Sequence, residues 1–453
     1  MKVIHISSAD IQGGANRAAY RLHRALLEAG IKSRMLVRTK GSQDAEISVA
    51  SLEEEAVLAA QARLVQKYFI DSNRASPAGS YFSIPLPGFD LAQDARVQDS
   101  DIIHLHWITG LLSPRSIARL QQSGKPVFWT LHDQRAFTGG CHYSAGCGRF
   151  QTTCETCPQL ARDDWGIARA GLEESRQAMD SRLLTVICPS RWMAEAAIRS
   201  DLLSRARVEV IPNCIDTRLF MPGGKREARL ELGLAPDKTC FLFGAENCAE
   251  QRKGFVDLAQ TLRLLPLSDA IQFASFGRTA DTFDRLPLKV KSFGHISSDR
   301  RLAVLYTAAD AFLLPSTEDN LPNTMLEAMA CGTPVIGFAI GGLPDVVTPE
   351  TGILVPSGDC RGLADAIRYF KPDARRAARA RAMAENYSPD VISRRHIELY
   401  AQFQSVPRAC PTSSNRLPCL PPGPAFAAVF EPLLQQARQR RRGRWWRRLA
   451  GRS

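Results

Sequence analysis

The sequence predicts an α/β protein built from two Rossmann-like domains, and three observations carry that prediction. At 453 residues the chain is longer than one hydrophobic core usually grows. Its first strand-like run is followed by a glycine loop, a helical pattern and a second strand-like run, which is how a parallel sheet begins. The same alternation restarts after the turn-rich stretch TRLFMPGGKR, placing a boundary at Asp216 to Arg226.

The first unit opens on KVIHIS, a short β-branched run. A loop holding Gly13 and Gly14 leads into NRAAYRLHRALLEAG, whose apolar spacing is helical and which closes on Gly30, and SRMLVR is the next strand. DIIHLHW, an amphipathic stretch from Pro114 to Ser123, VFWTLHD, LLTVICPS and VEVIPN continue the pattern. The second unit runs through CFLFGA, a helix near Phe255 to Leu265, IQFASFG, KSFG, a helix at Asp299 to Thr307, AFLLPS, a helix near Asn323 to Ala330, and PVIGF. The chain therefore divides into a first domain over 1–215, with a cysteine-rich insertion near 139–160, and a second domain over 216–380. A helix over 381–406 is expected to pack back towards the first domain, and a Pro/Arg-rich tail fills 407–453. Residues 407–430 of that tail lack periodicity and read as a linker with little fixed structure.

The net charge of +12 lies mostly in the tail: residues 401–453 carry ten Arg against one acid, Glu431, leaving only +3 for residues 1–400. A nearly neutral body with a basic end argues for an enzyme carrying a surface-binding appendage and against a nucleic-acid binder. The closing QQARQRRRGRWWRRLAGRS interleaves Trp445 and Trp446 with Arg, which suits an anionic membrane surface and equally a basic tail without a fixed partner. No run of eighteen or more apolar residues is present, and MKVIHISSAD reads as strand and loop rather than signal peptide. The body is expected to be cytoplasmic, with the tail as its means of resting on the inner face of the membrane.

The strongest chemical signal is AFLLPSTEDNLPNTMLEAMACGTPVIGFAIGGLPDVV, residues 311–347. A buried strand delivers a polar loop, Ser316 to Pro322, and a helix begins near Asn323, so unpaired backbone N–H groups face the sheet's carboxyl edge, where α/β sheets bind phosphate. Asp319 and Glu327 stand eight positions apart, which serves a sugar and a ribose, or a helix cap and a solvated face. In CFLFGAENCAEQRKGF a strand runs into a turn holding Arg252 and Lys253, fixed cations able to stabilise a departing diphosphate. A solvated pair at a helix start is the plain alternative. Gly13 and Gly14 let backbone approach a ligand ahead of a helix, with Arg17 one turn on as an exposed residue or a phosphate or acceptor contact. His132 ends an apolar strand and Asp133 follows as a cap or acceptor contact, whereas His104 and His106 read as satisfied core or edge residues.

These motifs together resemble the large retaining GT-B glycosyltransferase family with its E-x7-E signature, in the DNLPNT form of exopolysaccharide and colanic-acid-type transferases. The resemblance covers roughly residues 1–400. It implies a GT-B fold, two Rossmann-like domains facing each other across a cleft, and a hexosyl transfer with retention from a nucleotide-diphosphate sugar to a saccharide or lipid-linked saccharide. It implies that Glu327 holds the donor ribose, that the backbone around Asn320, Leu321, Pro322 and Asn323 meets the diphosphate, that Asp319 contacts the transferred sugar and that His132 lies close to it. The GGA loop with Gly13 and Gly14 matches the family's first loop. Two departures stand out: Asp319 replaces the first Glu, and the family's Arg upstream of the Lys is replaced by Asn247 or Cys248 while Arg252 stands beside Lys253. No D-x-D metal motif serves the diphosphate, so no catalytic metal is expected. A nucleotide-sugar epimerase and a catalytically silent binding module are the competing readings.

Cys141, Cys147, Cys154 and Cys157 form C-x5-C-x6-C-x2-C with His142 adjacent, a composition that fits a structural zinc site or a thiol-only loop. Cys188, Cys214, Cys240 and Cys331 sit in apolar runs as small hydrophobes, and no disulfide framework is expected.

Overall fold

The computed structural model describes residues 1–52, 57–75, 80–278, 283, 286, 288–403 and 417–450, with side chains as far as Arg441. The first sheet is made of β1 (Lys2–Ala9), β2 (Lys32–Thr39), β3 (Ile47–Val49), β4 (Ile102–Leu105), β5 (Val127–Thr130), β6 (Leu184–Cys188) and β7 (Arg207–Val210). The second is made of β8 (Thr239–Asn247), β9 (Ile271–Arg278), β10 (Val290–Ser292), β11 (Ala311–Leu314), β12 (Val335–Phe338) and β13 (Gly352–Val355). All neighbouring strands run parallel, in the orders β3-β2-β1-β4-β5-β6-β7 and β10-β9-β8-β11-β12-β13. Helices cover both faces, which is why β4, β5, β6, β11 and β12 are buried along their whole length and read as continuous apolar runs.

Each order reverses beside its first strand, between β1 and β4 in one sheet and between β8 and β11 in the other. Connections leaving a sheet at such a point diverge and open a crevice at the carboxyl ends of the strands. The loops after β1, β8 and β11 are the ones in which the sequence places Gly13, Arg252 and Asp319.

The helix Gly14–Glu28 buries Ala18, Leu22, Ala25 and Leu26, an i, i+4, i+7, i+8 stripe. Asn16 fixes its start, accepting a hydrogen bond from Ser7 Oγ at 2.7 Å and donating to the Gln12 carbonyl at 2.6 Å. Between the sheets, Ile215 and Phe220 already belong to the second domain's core, and the helix Lys225–Glu231 precedes β8. The helix Ala374–Glu385 packs Ala380 and Ala384 into that same core. The helix Pro389–Tyr400 crosses back, burying Ile392, Leu399 and Tyr400 against Val3, Leu26 and Phe128 of the first domain.

The tail corrects the linker expectation. Leu417 and Cys419 form bridges to Leu52 and Phe89, and a helix, Pro424–Ala450, follows. Phe426, Phe430, Leu433, Leu434 and Ala437 of this helix are buried in the first domain's core. Their spacing is one helical stripe, a signal masked by the Pro, Ser and Arg around it. The Gly423 N–H ties the entry to Glu174 at 2.7 Å. Residues 407–416 and the side chains of Trp445 and Trp446 lie outside the described residues. Among the described residues no helix is long and apolar enough to cross a membrane.

Phe426 is fully buried, so Phe426→Ala is expected to cost about 3–5 kcal/mol in urea unfolding. A loss below about 1 kcal/mol would mean that this segment is not part of the core.

Candidate active site

The loops at the two switch points meet in a cleft of about 720 Å³ lined by both domains. The first domain contributes Gly13, Gly14, Arg17, Trp107, His132 and Tyr143 to it, and the second contributes Arg252, Lys253, Asp319 to Asn323 and Glu327. All the residues in which the sequence reading placed donor binding and catalysis therefore border one space.

Asp319 is 5% exposed, and a lone carboxylate so placed would be costly. Two cations and a phenol surround it: Lys253 Nζ lies 2.6 Å from Oδ2, while Arg252 Nη1 and the Tyr143 hydroxyl lie 3.4 and 3.3 Å from Oδ1. Burial pushes the carboxyl up, but Lys253 and Arg252 draw it below the ordinary aspartate value. Arg252 also stacks on the Tyr143 ring at 4.3 Å from its centroid and pairs with Glu250 at 2.8 Å. The short Asp side chain is thus matched by cations that come to it. The turn carrying them is held against the Asp319 loop, since the Thr317 N–H donates to the Arg252 carbonyl at 2.8 Å. Gly254, at φ +68°, is obligatory there: a Cβ would stand 1.8 Å from the Pro315 carbonyl oxygen.

Glu327 is also buried, and it reaches across the domains. Arg21, on the first domain's Gly14–Glu28 helix, donates to Oε1 at 2.8 Å, and Tyr306 donates to Oε2 at 3.0 Å. Asp299 joins the group through Arg21 at 3.2 Å and through a short contact with Arg17. Arg17 is half-buried in this pairing rather than free on the surface.

The helix Asn323–Ala330 has no side-chain cap, so Asp319 is not its N-cap and its first N–H groups remain available to an anion. The side chains before it are structural. Asn320 donates to the Leu131 and His132 carbonyls at 2.8 and 3.3 Å and accepts from Ser190 at 2.7 Å, all three in the first domain. Leu321 enters the second core. Asn323 donates to the Gly14 carbonyl at 2.8 Å, bringing the glycine loop against the helix start. Gly341, at φ +51°, would place a Cβ 1.6 Å from the Asp319 carbonyl oxygen, so AIGGLP buttresses the loop from behind.

His132 lines the cleft and Asp133 lies beneath it, bound by His142 at 2.6 Å and by the Trp107 indole at 2.8 Å. Burial lowers His132 to about 4, against the opposing pull of Asp133, so the ring is neutral at physiological pH. His104 and His106 are buried, as their apolar strand suggests.

The four insertion cysteines are free thiols, two buried and two half-buried. Burial pushes Cys141 up, and Cys154 up to about 11. Cys141 is also pushed up by the thiols of Cys157, Cys154 and Cys147, so the four sulfurs share one part of the insertion. Three of its residues outside glycine, Ala145, Cys154 and Thr156, hold left-handed backbone.

Arg21, Tyr143, Tyr306 and Asp299 escaped the sequence reading. Arg21 follows Arg17 by one helical turn, and that i, i+4 pairing was the available signal. The two tyrosines reach their acids only through tertiary packing.

Comparison with known proteins agrees with this fold. A family model for glycosyl transferases group 1 matches residues 238–371, and one for glycosyltransferase family 4 matches residues 12–219. A D-inositol 3-phosphate glycosyltransferase of Actinosynnema mirum is 29% identical over 291 residues, 54% of this chain and 70% of that protein. Proteins of the same description from Xylanimonas cellulosilytica and Mycobacteroides abscessus are matched over 56% and 54% of their lengths. In fold, sucrose-phosphate synthase from Thermosynechococcus elongatus superposes at a TM-score of 0.62 with 22% identity, over 89% of this chain and 99% of that one. HepE from Anabaena, in complex with UDP-glucose, gives 0.60 with 17% identity, over 89% of this chain and all of that one, 100%.

A carboxyl held below its unfolded value contributes stability that is present above the ordinary aspartate range and lost as pH falls through the folded-state value. Unfolding midpoints measured from about pH 5 down to about pH 2 should therefore fall less steeply in Asp319→Asn than in the parent. Equal acid slopes would mean that Asp319 is not clamped in solution.

Proposed function

We propose, since the chain belongs to the group 1 family of GT-B glycosyltransferases, that it moves a hexosyl group from a nucleoside-diphosphate sugar to a saccharide or lipid-linked saccharide with retention of configuration. The observation that carries this reading is the convergence of Asp319, Glu327, Arg252, Lys253 and an uncapped helix start on one interdomain cleft. The neighbours' UDP and UDP-glucose complexes support a nucleotide-sugar donor.

In this mechanism the donor diphosphate takes the N–H groups at Asn323 and replaces Asp319 as the partner of Lys253 and Arg252. Those cations absorb the charge that grows as the bond from C1 to phosphate oxygen breaks, a role filled without a divalent ion. Asp319, released, accepts from hydroxyls of the transferred sugar. Glu327 keeps Arg21 and Tyr306 and uses its remaining lone pairs for the ribose hydroxyls. The acceptor oxygen then bonds to C1 from the face the phosphate leaves, and its proton passes to the departing phosphate oxygen. Closure of the two domains keeps water from competing.

The biological setting we infer is exopolysaccharide or cell-surface polysaccharide synthesis at the inner membrane face, with the basic end of the C-terminal helix as the surface contact. Structural zinc held by Cys141, Cys147, Cys154 and Cys157 belongs to this proposal, and elemental analysis of protein purified without chelator decides it: less than one equivalent removes it.

Glu327→Ala is expected to reduce transfer at least about a hundredfold while the circular dichroism spectrum is kept, with Glu327→Gln as a milder second variant. Near-normal turnover by both would overturn the assignment of Glu327. Running the donor with and without a saccharide acceptor separates transfer from epimerisation, which consumes donor alone.

A further inference from the structure

Six of the chain's eight histidines occupy one buried layer between the first sheet and the helices Gly14–Glu28 and Pro389–Tyr400. They are His5, His23, His104, His106, His132 and His396, with neighbouring ring centroids 4.3 to 6.0 Å apart. Register explains part of it: His5 on β1 pairs with His104 on β4, and His106 follows on the same face. Three of these rings form a hydrogen-bonded file that ends in the cleft. His5 Nδ1 lies 2.9 Å from His106 Nε2, and His106 Nδ1 lies 3.2 Å from His132 Nε2. His5 Nε2, at the inner end, is buried without a partner.

We propose that His5 and His106 are positioning residues that lock His132 into the tautomer with its proton on Nδ1, so that the cleft is offered a fixed hydrogen-bond donor suited to a sugar oxygen. A neutral imidazole has one N–H and one lone pair, so a file of three must point one way throughout. If it points inward, His5 Nε2 carries a buried N–H with nothing to receive it, which is rare in folded proteins. If it points outward, His5 Nε2 is an unfilled lone pair, which is tolerated more often. The outward direction makes His5 donate to His106 and His106 donate to His132 Nε2. The proton of His132 must then reside on Nδ1, which makes no hydrogen bond among the described residues. Burial lowers all three rings, which keeps each of them to a single proton.

The cluster His5, His104 and His106 also meets a loose metal-ligand spacing, within 4.8 Å. Both nitrogens of His104 are engaged, by Tyr400 at 2.6 Å and Thr130 at 2.8 Å, and both of His106 by its two neighbours in the file. The rings are thus committed to hydrogen bonds rather than to an ion.

The contact with a donor sugar rests on the function proposed above; the tautomer does not, and the two fail separately. Protein carrying 15N-histidine, with the His132 signals assigned through His132→Asn, is read by long-range 1H–15N correlation at neutral pH. The expected result is a protonated Nδ1 and an unprotonated Nε2 on His132. His106→Asn, whose amide can still donate to His132, should keep that pattern and most of the turnover. His106→Phe should release it and lower kcat roughly tenfold more than it changes KM. His5→Asn serves as the second variant if the Phe substitution does not fold, and is expected to keep the pattern. A proton on His132 Nε2 in the parent, an unchanged pattern in His106→Phe, or a stoichiometric metal bound at these rings would overturn the proposal. The expected tautomer in a protein that transfers no sugar would sink only the function.

Discussion

Two carboxylates buried in an interdomain cleft have to be answered by cations, and that single electrostatic requirement organises this molecule. Asp319 and Glu327 are 5% and 3% exposed, and each would destabilise the fold if left alone. Lys253 and Arg252 answer the first from the adjacent loop of the same sheet, while Arg21 answers the second from the other domain. The same groups that neutralise the acids are the ones a diphosphate and its sugars would engage. The site is therefore internally compensated, and in the function proposed above a ligand would enter by exchanging one set of ionic partners for another.

The backbone makes that exchange local. Glycines at 254 and 341 allow two chain segments to lie flush against the Asp319 loop, and Asn320 bolts it to the carbonyls of Leu131 and His132. The side chains that the proposed exchange would move are thus mounted on a loop that the backbone holds in place. The uncapped start of the Asn323–Ala330 helix sits on the same mount.

Much of this was legible in the sequence because the frame is written in long, simple patterns. Continuous apolar runs such as AFLL and LTVIC mark strands covered on both faces, and the polar loop after AFLLPS marks the carboxyl edge. The acids and bases of the second domain lie within a few residues of such strands, so position along the chain already locates them. Arg21, Tyr143 and Tyr306 are different: Arg21 and Tyr143 meet their acids across the two domains, 306 and 176 residues away, and Tyr306 meets Glu327 from the neighbouring helix 21 residues before it, contacts that no local pattern announces. The tail misled for the opposite reason. Its composition is that of a loose segment, yet five apolar residues at helical spacing outweigh the surrounding Pro and Arg once a core is there to receive them.

The C-terminal helix is rooted in the first domain, wedged beside the helices Val57–Val65 and Ile167–Ala178. Any surface that takes hold of its basic end therefore grips one lobe of the molecule and leaves the other unattached. With one lobe moored, the domain closure proposed above would be carried by the lobe that holds Arg252, Lys253 and Asp319.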